Sequence, residues 1–353
     1  MRSKPIRVFC CLLTLLSLCS VFTIAFALEE TETEQKKSIK NNQAYVYEIL
    51  EDGNAVILKY TGREWCCCIP EYLDGHMVIG IEANAFFNKR FLRTISMPNT
   101  IEWIGEQAFA CCDMLTNVGF SSELVSVGAG AFADCWSLGS AHLPDTLTEI
   151  PAAMFTGCWL LREVTCSDKL TKIDRDAFWG CRNLKSFDFP NTLIEIGTGA
   201  FRECESLQEI KLPEKIERIP YHSFMQCTRL KKIELPKQLQ EIDDSAFVQC
   251  WSLREVQIPD SVTRIGTMAF NGCSSRLILI GKNGSAAWQY CTQDAEEIVI
   301  GDDFSFKDAD TGVVTPMRYP VLHDLFYGAS LWIGKVINIP ISLFANLTHL
   351  FIR

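Results

Sequence analysis

Hydrophobic positions in this chain recur every 23 residues. In one copy, Ala177, Phe178, Cys181 and Leu184 are spaced by one, three and three residues. A period of this length, held without an insertion, is typical of a solenoid whose coils are each one supersecondary unit, stable only beside its neighbours. The phenylalanine of the pattern occupies nine positions, namely Phe86, Phe109, Phe132, Phe155, Phe178, Phe201, Phe224, Phe247 and Phe270.

Within one coil the apolar period changes, and the change predicts the local structure. The spacing of one, three and three around Phe178 places these side chains on one face of a short helical turn. Phe187 and Phe189 then alternate with Ser186 and Asp188, which predicts a short parallel strand that ends at Pro190. The pattern therefore predicts an α/β solenoid with one short helical turn and short strands in each 23-residue coil.

The spacing of the cysteines indicates whether they form disulfides or pack in the core of the solenoid. The chain has 17 cysteines, and in an exported chain such a number normally suggests a disulfide framework. Neighbouring coils, however, would place equivalent Cα atoms about 4.8 Å apart with their side chains parallel. We therefore expect mostly free, buried thiols that act as small apolar side chains. Eight of them follow a repeat phenylalanine by three residues: Cys112, Cys135, Cys158, Cys181, Cys204, Cys227, Cys250 and Cys273.

The combined motif resembles a known repeat family. Ala-Phe-x-x-Cys-x-x-Leu-x-x-Ile-x-Leu-Pro, followed by Leu-x-x-Ile-Gly, is similar to the BspA-type leucine-rich repeats of surface proteins from host-associated bacteria and some protists, over residues 78–280. The resemblance implies a right-handed extracellular solenoid that binds host proteins, other cells or surface polymers. It implies no catalytic residues, because the family shares none.

The segments outside the repeat have different compositions. Arg2, Lys4 and Arg7 precede an apolar run over 8–26, which predicts a signal peptide cleaved after Ala27, with an uncleaved membrane anchor as the alternative. The predicted organisation is a signal peptide (1–27), a flexible acidic leader (28–43), a hairpin cap with an irregular first coil (44–85), the solenoid (86–280), a C-terminal cap (281–300) and a tail of uncertain structure (301–353).

The net charge and the absence of known catalytic motifs disfavour several classes of function. The net charge of −10 disfavours nucleic acid as a partner, and loss of the three basic residues of the signal changes it to −13. No nucleophile, phosphate-loop or metal-ligand motif is found, so we expect no enzyme activity, cofactor or metal. Acidic pairs before the Phe positions, such as Asp174 with Asp176 and Asp243 with Asp244, are expected to cap helix N-termini, with a calcium site as the alternative.

Two surfaces are candidate binding sites. Strand residues that alternate with the core should form an outer sheet face. Four tryptophans sit where other coils have polar residues, and they are either binding hot spots or lateral packing between coils. The outer-face candidates are Ser140, His142, Glu163, Thr165, Ser186, Asp188, Glu209, Lys211, Lys232, Glu234, Glu255 and Gln257, and the edge candidates are Trp136, Trp159, Trp179 and Trp251.

These observations favour a secreted or cell-surface interaction protein whose partners are proteins or surface polymers outside the cell. The alternatives are a structural spacer that displays its termini, or an enzyme with an unrecognised site. Membrane contact is expected only through the signal segment or through an apolar tail stretch at 325–352. That stretch is interrupted by polar residues, and the alternative is an amphipathic segment that packs on the solenoid or stays poorly ordered.

Overall fold

The computed structural model describes residues 38–42, 44–292 and 305–316. The predicted signal peptide, residues 28–37 and 43 of the predicted leader, and the tail stretch at 325–352 lie outside these residues. Within them, no helix has the length and apolar character needed to cross a membrane.

Stacked coils form the body of the molecule, and their short strands pair in parallel on two sides of the solenoid. A three-residue series comprises β7 (Thr94–Ser96), β9 (Asn117–Gly119), β11 (Ser140–His142), β13 (Glu163–Thr165), β16 (Glu209–Lys211), β18 (Lys232–Glu234) and β20 (Glu255–Gln257). A two-residue series comprises β8 (Trp103–Ile104), β10 (Ser126–Val127), β12 (Glu149–Ile150), β14 (Lys172–Ile173), β15 (Glu195–Ile196), β17 (Arg218–Ile219), β19 (Glu241–Ile242) and β21 (Arg264–Ile265). Paired residues of neighbouring coils are 23 apart, as in Ala141 with Val164.

The N-terminal end is covered by an antiparallel unit. Its strands are β1 (Ser38–Asn41), β2 (Tyr45–Ile49) and β3 (Ala55–Tyr60), and the first coil adds β4 (Cys66–Cys68), β5 (Tyr72–Leu73) and β6 (His76–Ile81). β1, β2 and β3 pair antiparallel, and β3 joins the parallel ladder through β6. The apolar residues of β2 and β3 thereby cover the end of the core, which a solenoid otherwise leaves exposed.

The C-terminal end is covered by β22 (Ile278–Gly281), helix α1 (Ala286–Thr292), β23 (Ser305–Asp308) and β24 (Val314–Pro316). Ala286, Ala287, Tyr290 and Cys291 of α1 are buried. Tyr290 packs edge-on against Phe270 with ring centroids 5.9 Å apart. The last coil is therefore closed by an aromatic side chain from a different element.

A continuous row of rings runs through the core. The nine repeat phenylalanines are fully buried, and successive rings stack with centroids 4.7 to 6.0 Å apart. Tyr60 extends the row at the N-terminal end, 4.8 Å from Phe86. We refer to the nine phenylalanines as the Phe spine. Offset stacking adds to the free energy gained from burying each ring, so the spine couples every coil to the next.

The eight column thiols are free, as predicted for cysteines at these positions. They also have a role beyond filling space. The Sγ–H of each donates to the carbonyl of the preceding coil's repeat phenylalanine at 3.2 to 3.3 Å, as Cys181 does to Phe155. Burial raises the pKa of the Cys112 thiol to about 12, which keeps it protonated and able to donate.

The predicted helical turn is wrong. Around the Phe spine the chain forms hydrogen-bonded turns in which the residues two before and two after each phenylalanine have left-handed backbones, for example Asp176 (φ 53°) and Gly180 (φ 76°). Alternate N–H groups then point out of the coil: Phe178 donates to Ala200 and Gly180 to Arg202, both at 2.8 Å. The backbone bonds that would build a helix are therefore made to the next coil instead.

Candidate functional site

The three-residue strands present the predicted outer face. Their middle residues are buried and their flanking residues point outward, so ten of the twelve predicted side chains lie in two outward columns on these strands. The other two, Ser186 and Asp188, flank the buried Phe187 in a segment without a strand. Eleven are exposed and Ser140 is half-buried. Contacts between coils link members of the columns, as where His142 Nδ1 lies 2.9 Å from Thr165 Oγ1. Lys232 and Glu234 form an ion pair at 2.6 Å within one strand, which raises the pKa of the Lys232 ammonium.

The outer face is interrupted where a strand was predicted at residues 186–189. The structure has no strand there, so the three-residue series passes directly from β13 to β16. Its ladder is also divided between β9 and β11 and between β18 and β20. Phe187 packs against Phe178 and Phe201 with centroids 5.4 Å from each, and Phe189 packs against Phe201 at 5.3 Å. These two bulky rings occupy positions that hold smaller side chains in the adjacent coils. The interruption therefore coincides with an aromatic cluster at the core boundary.

A groove of about 440 Å³ opens at this interruption. The rings of Phe187 and Phe189 contribute to its lining, together with six of the predicted outer-face residues. Those six are Ser186, Asp188, Glu209, Lys211, Lys232 and Glu234. Apolar surface flanked by charges of both signs suits a partner that carries complementary charges around an apolar group.

The tryptophans lie on a different side of the solenoid, which we call the Trp edge (Trp136, Trp159, Trp179 and Trp251). Each is between 37% and 47% exposed, whereas every ring of the Phe spine is fully buried. The rings of Trp136 and Trp159 are stacked and nearly parallel, with an interplanar angle of 3° and centroids 5.0 Å apart. The Arg182 guanidinium lies 5.6 Å from the Trp159 ring centroid and continues this stack.

Trp179 belongs to a second cluster that meets the first. Its Nε1–H donates to Glu203 Oε1 at 3.0 Å, and the Arg202 guanidinium lies 5.0 Å from its ring. Glu203 also pairs with Arg182 at 3.7 Å. The same carboxylate thus joins both aromatic clusters. Trp251 lies four coils beyond Trp159 in the same column.

Sequence reasoning missed the charged members of this edge. Arg182 follows Trp159 by 23 residues, as Trp159 follows Trp136, so these three side chains form one column. The next member, Glu205, pairs with Arg182 at 3.4 Å. A search down each repeat column, rather than for one residue type, would have found the contact series.

A second groove, of about 890 Å³, lies on the side of the two-residue strands. Asp243 is buried there and receives the Arg218 guanidinium at 2.8 Å and the Arg264 guanidinium at 3.5 Å. The hydrogen bonds from Arg218 to Asp243 raise the pKa of that guanidinium. The expectation that Asp243 and Asp244 cap a helix was wrong, because the chain that follows forms turns and no helix.

The acidic clusters do not assemble into a metal centre within the described ranges, where no group of three or more histidine, cysteine or acidic side chains is arranged to hold an ion. Asp174 Oδ1 instead accepts the N–H of Arg175 at 2.7 Å, and Asp174 also pairs with Lys172. These carboxylates satisfy local backbone and basic groups.

Comparison with known proteins agrees with this geometry. The model of the BspA-type leucine-rich repeat region matches residues 79–185 and 148–277, in six copies. The chain belongs to this family. The resemblance seen in the Phe, Cys and Leu columns is thereby confirmed, and with it the assignment of a leucine-rich repeat solenoid.

Solved structures with similar chains are bacterial leucine-rich repeat proteins. The T. pallidum leucine-rich repeat protein TpLRR is 25% identical, with 61% of this chain and 90% of that chain covered and a TM-score of 0.46. A leucine-rich cell surface protein of Faecalibacterium prausnitzii is 24% identical, with 70% and 89% covered and a TM-score of 0.43. The pneumococcal vaccine antigen PcpA is 19% identical, with 71% and 83% covered and a TM-score of 0.46. No curated protein matches the sequence.

Proposed function

We propose that this BspA-type repeat protein is an extracellular, non-catalytic interaction protein that binds a protein or a surface polymer outside the cell. The observation that carries the proposal is the Trp136–Trp159 stack, which leaves 40% and 43% of these side chains exposed on a rigid solenoid. Exposed tryptophans that are already fixed in place lose little conformational entropy on binding, and tryptophan is enriched among hot-spot residues.

The charged neighbours of the Trp edge support the same role. Arg182 lies against Trp159 and pairs with Glu203 and Glu205, so the ring pair is bordered by a network of both charges. An apolar centre with a polar, solvent-accessible rim is the usual arrangement in protein interfaces. The groove above Phe187 and Phe189 offers the outer face a second contact area of similar chemistry.

Export is part of the proposal and is supported by the basic and apolar pattern of residues 1–27. Mass spectrometry of the protein recovered from the producing cell should find an N-terminus at Leu28. An N-terminus that retains the apolar run over 8–26 would indicate the membrane-anchored alternative instead.

Binding is tested by biolayer interferometry against a panel of purified extracellular-matrix proteins and surface polysaccharides. The wild-type protein should bind at least one of them saturably. The Trp136→Ser/Trp159→Ser variant should lose about 30-fold in affinity, which corresponds to a hot spot of about 2 kcal/mol. Ile194→Ser, which removes an exposed apolar side chain from the side of the two-residue strands, is the matched control and should bind like the wild type.

Thermal unfolding of the same variants separates binding from packing. An unchanged midpoint with lost affinity supports a hot spot at the Trp edge. A lowered midpoint with retained affinity assigns the tryptophans to packing between coils. Absence of saturable binding across the panel would contradict the proposal and favour the structural spacer.

A further inference from the structure

Among the described residues, the outer sheet face begins with a strand that has one unpaired edge. β4 pairs with β7 alone among the described residues, and it is the first strand of the order β4, β7, β9. Cys67 points inward, where its Sγ lies 3.2 Å from Tyr45 Oη. Cys66 and Cys68 are exposed free thiols on the opposite side of the strand. They are the first members of the two outward columns.

The backbone of β4 directs hydrogen-bonding groups away from the solenoid. The Trp65 carbonyl accepts from the β7 side, and the Ile69 N–H donates to that side. In a parallel strand, the backbone groups of every second residue bond to the same neighbouring strand. The backbone N–H and C=O of Cys67 therefore face β7 as well, and those of Cys66 and Cys68 face away from the solenoid. Unpaired edge groups of this kind are a template for another strand.

We propose that a second copy of this chain pairs antiparallel with β4 at this edge and becomes linked to it by disulfides. With Cys67 at the centre, Cys66 lies opposite the partner's Cys68, and Cys68 opposite the partner's Cys66. Directly opposite residues of such a hydrogen-bonded pair have Cα atoms about 5.5 Å apart, inside the range of about 4.4 to 6.8 Å for disulfides.

Self-complementarity identifies the partner as a second copy. The triplet Cys66, Cys67, Cys68 reads the same in both chain directions, so a two-fold axis through its centre matches each exposed thiol with a thiol and each donor with an acceptor. Trp65, which is 62% exposed and lies 4.9 Å from the Arg93 guanidinium, directly precedes the triplet. This inference concerns assembly and does not depend on the ligand of the Trp edge.

The covalent step needs an oxidant, for which we name a small-molecule disulfide such as oxidised glutathione. The Cys66 thiolate attacks one glutathione sulfur, forms a mixed disulfide and releases one glutathione thiolate. The thiolate of the partner's Cys68 then attacks the Cys66 sulfur and releases the second glutathione. Two protein thiols become one disulfide, and their two protons end on two glutathione thiols.

The test uses two single variants, Cys66→Ser and Cys68→Ser, oxidised with glutathione and analysed on non-reducing gels and by peptide mass mapping. The wild type should give a covalent dimer that reverts on reduction and contains a crosslink between residues 66 and 68. Each variant alone should give none, because its remaining thiol faces serine. Their equimolar mixture should give roughly half of the wild-type dimer, because half of random pairs are mixed.

Cys111→Ser is the control, since it removes a half-buried thiol from another part of the coil and should dimerise like the wild type. The proposal is overturned if either single variant crosslinks with itself as readily as the mixture does, which would indicate a parallel register or unspecific thiol oxidation. It is also overturned if the wild type remains monomeric with glutathione attached to Cys66 and Cys68.

Discussion

Two rows of aromatic side chains run along this solenoid, one inside and one outside. The Phe spine repeats one residue type without exception, and successive rings stack with centroids 4.7 to 6.0 Å apart. Trp136, Trp159 and Trp251 of the Trp edge share one column of the same 23-residue period, but this column varies, so that Trp159 is followed by Arg182 and then Glu205. Close packing restricts the inner row to one shape, whereas the outer row can change without disturbing the coils. The repeat thus separates the row that stabilises the coils from the row for which we propose a role in recognition.

The comparison is sharpest at two adjacent residues, Phe178 and Trp179. Phe178→Ala should lower the free energy of unfolding by about 3 to 5 kcal/mol, because it leaves a cavity between Phe155 and Phe201. Trp179→Ala should change it by no more than about 1 kcal/mol, since that ring is partly exposed. Chemical denaturation measures both. Equal losses of unfolding free energy in the two variants would contradict the view that only the inner row stabilises the coils.

The thiol column should make stability depend on alkaline pH. Burial raises the pKa of Cys112 to about 12, so the folded thiol stays protonated where the unfolded thiol ionises. The resulting stabilisation is complete below about pH 9 and is lost as pH rises from there to about 12. At pH 10 the loss amounts to about 1.4 kcal/mol for this thiol.

Cys112→Ala tests this dependence through the slope of unfolding free energy against pH. Between pH 7 and pH 10 its stability should fall by about 1.4 kcal/mol less than that of the wild type. Cys68→Ala, compared under reducing conditions so that no intermolecular disulfide forms, removes an exposed thiol and is the matched control. An identical slope in the wild type and Cys112→Ala would show that the buried thiol does not carry the linkage.

The smallest predicted effect is that of a substitution at Gly180, and the sign of the change in unfolding free energy is what tests it. Gly180 has a φ of 76°, and a Cβ there would meet Gly157 Cα at an ordinary 3.7 Å. Gly180→Ala should therefore destabilise by about 1 kcal/mol through backbone strain alone. In a helical turn the same change would stabilise by a similar amount.

Gly139→Ala is the control for this substitution, because Gly139 lacks a left-handed backbone and a Cβ there meets nothing closer than 4.0 Å. It should be neutral or slightly stabilising, by about 0.4 to 1 kcal/mol. A gain in stability for Gly180→Ala would contradict the alternating backbone described for the Phe spine.

The sequence predicts the inner columns because each must be filled in every coil. Phe, Cys and Leu recur in register, and burial at these positions follows from the period alone. The path of the backbone between them could not be obtained in this way, because a spacing of one, three and three fits both a helical turn and alternating right-handed and left-handed residues. Glycine and asparagine two residues from the phenylalanine, as at Gly180 and Asn88, are the signal that distinguishes them.

The candidate surfaces were predicted in part. Alternation with buried strand residues was enough to place the outer columns, since side chains on a strand point to opposite faces. The interruption at Phe187 was not predicted, because it depends on the packing of two bulky rings against neighbouring coils. The contact of Arg182 with Trp159 was missed for a related reason, since it joins residues of different chemistry in one column.

Backbone donors around each phenylalanine bond to the following coil, and this has a consequence for how the gene can change. Removal or duplication of 23 residues between two repeat positions leaves each donor opposite an equivalent acceptor, as Phe178 is to Ala200. Recombination between copies can therefore alter the copy number while both aromatic-capped ends persist. Selection can then adjust the length of the solenoid in steps of one coil.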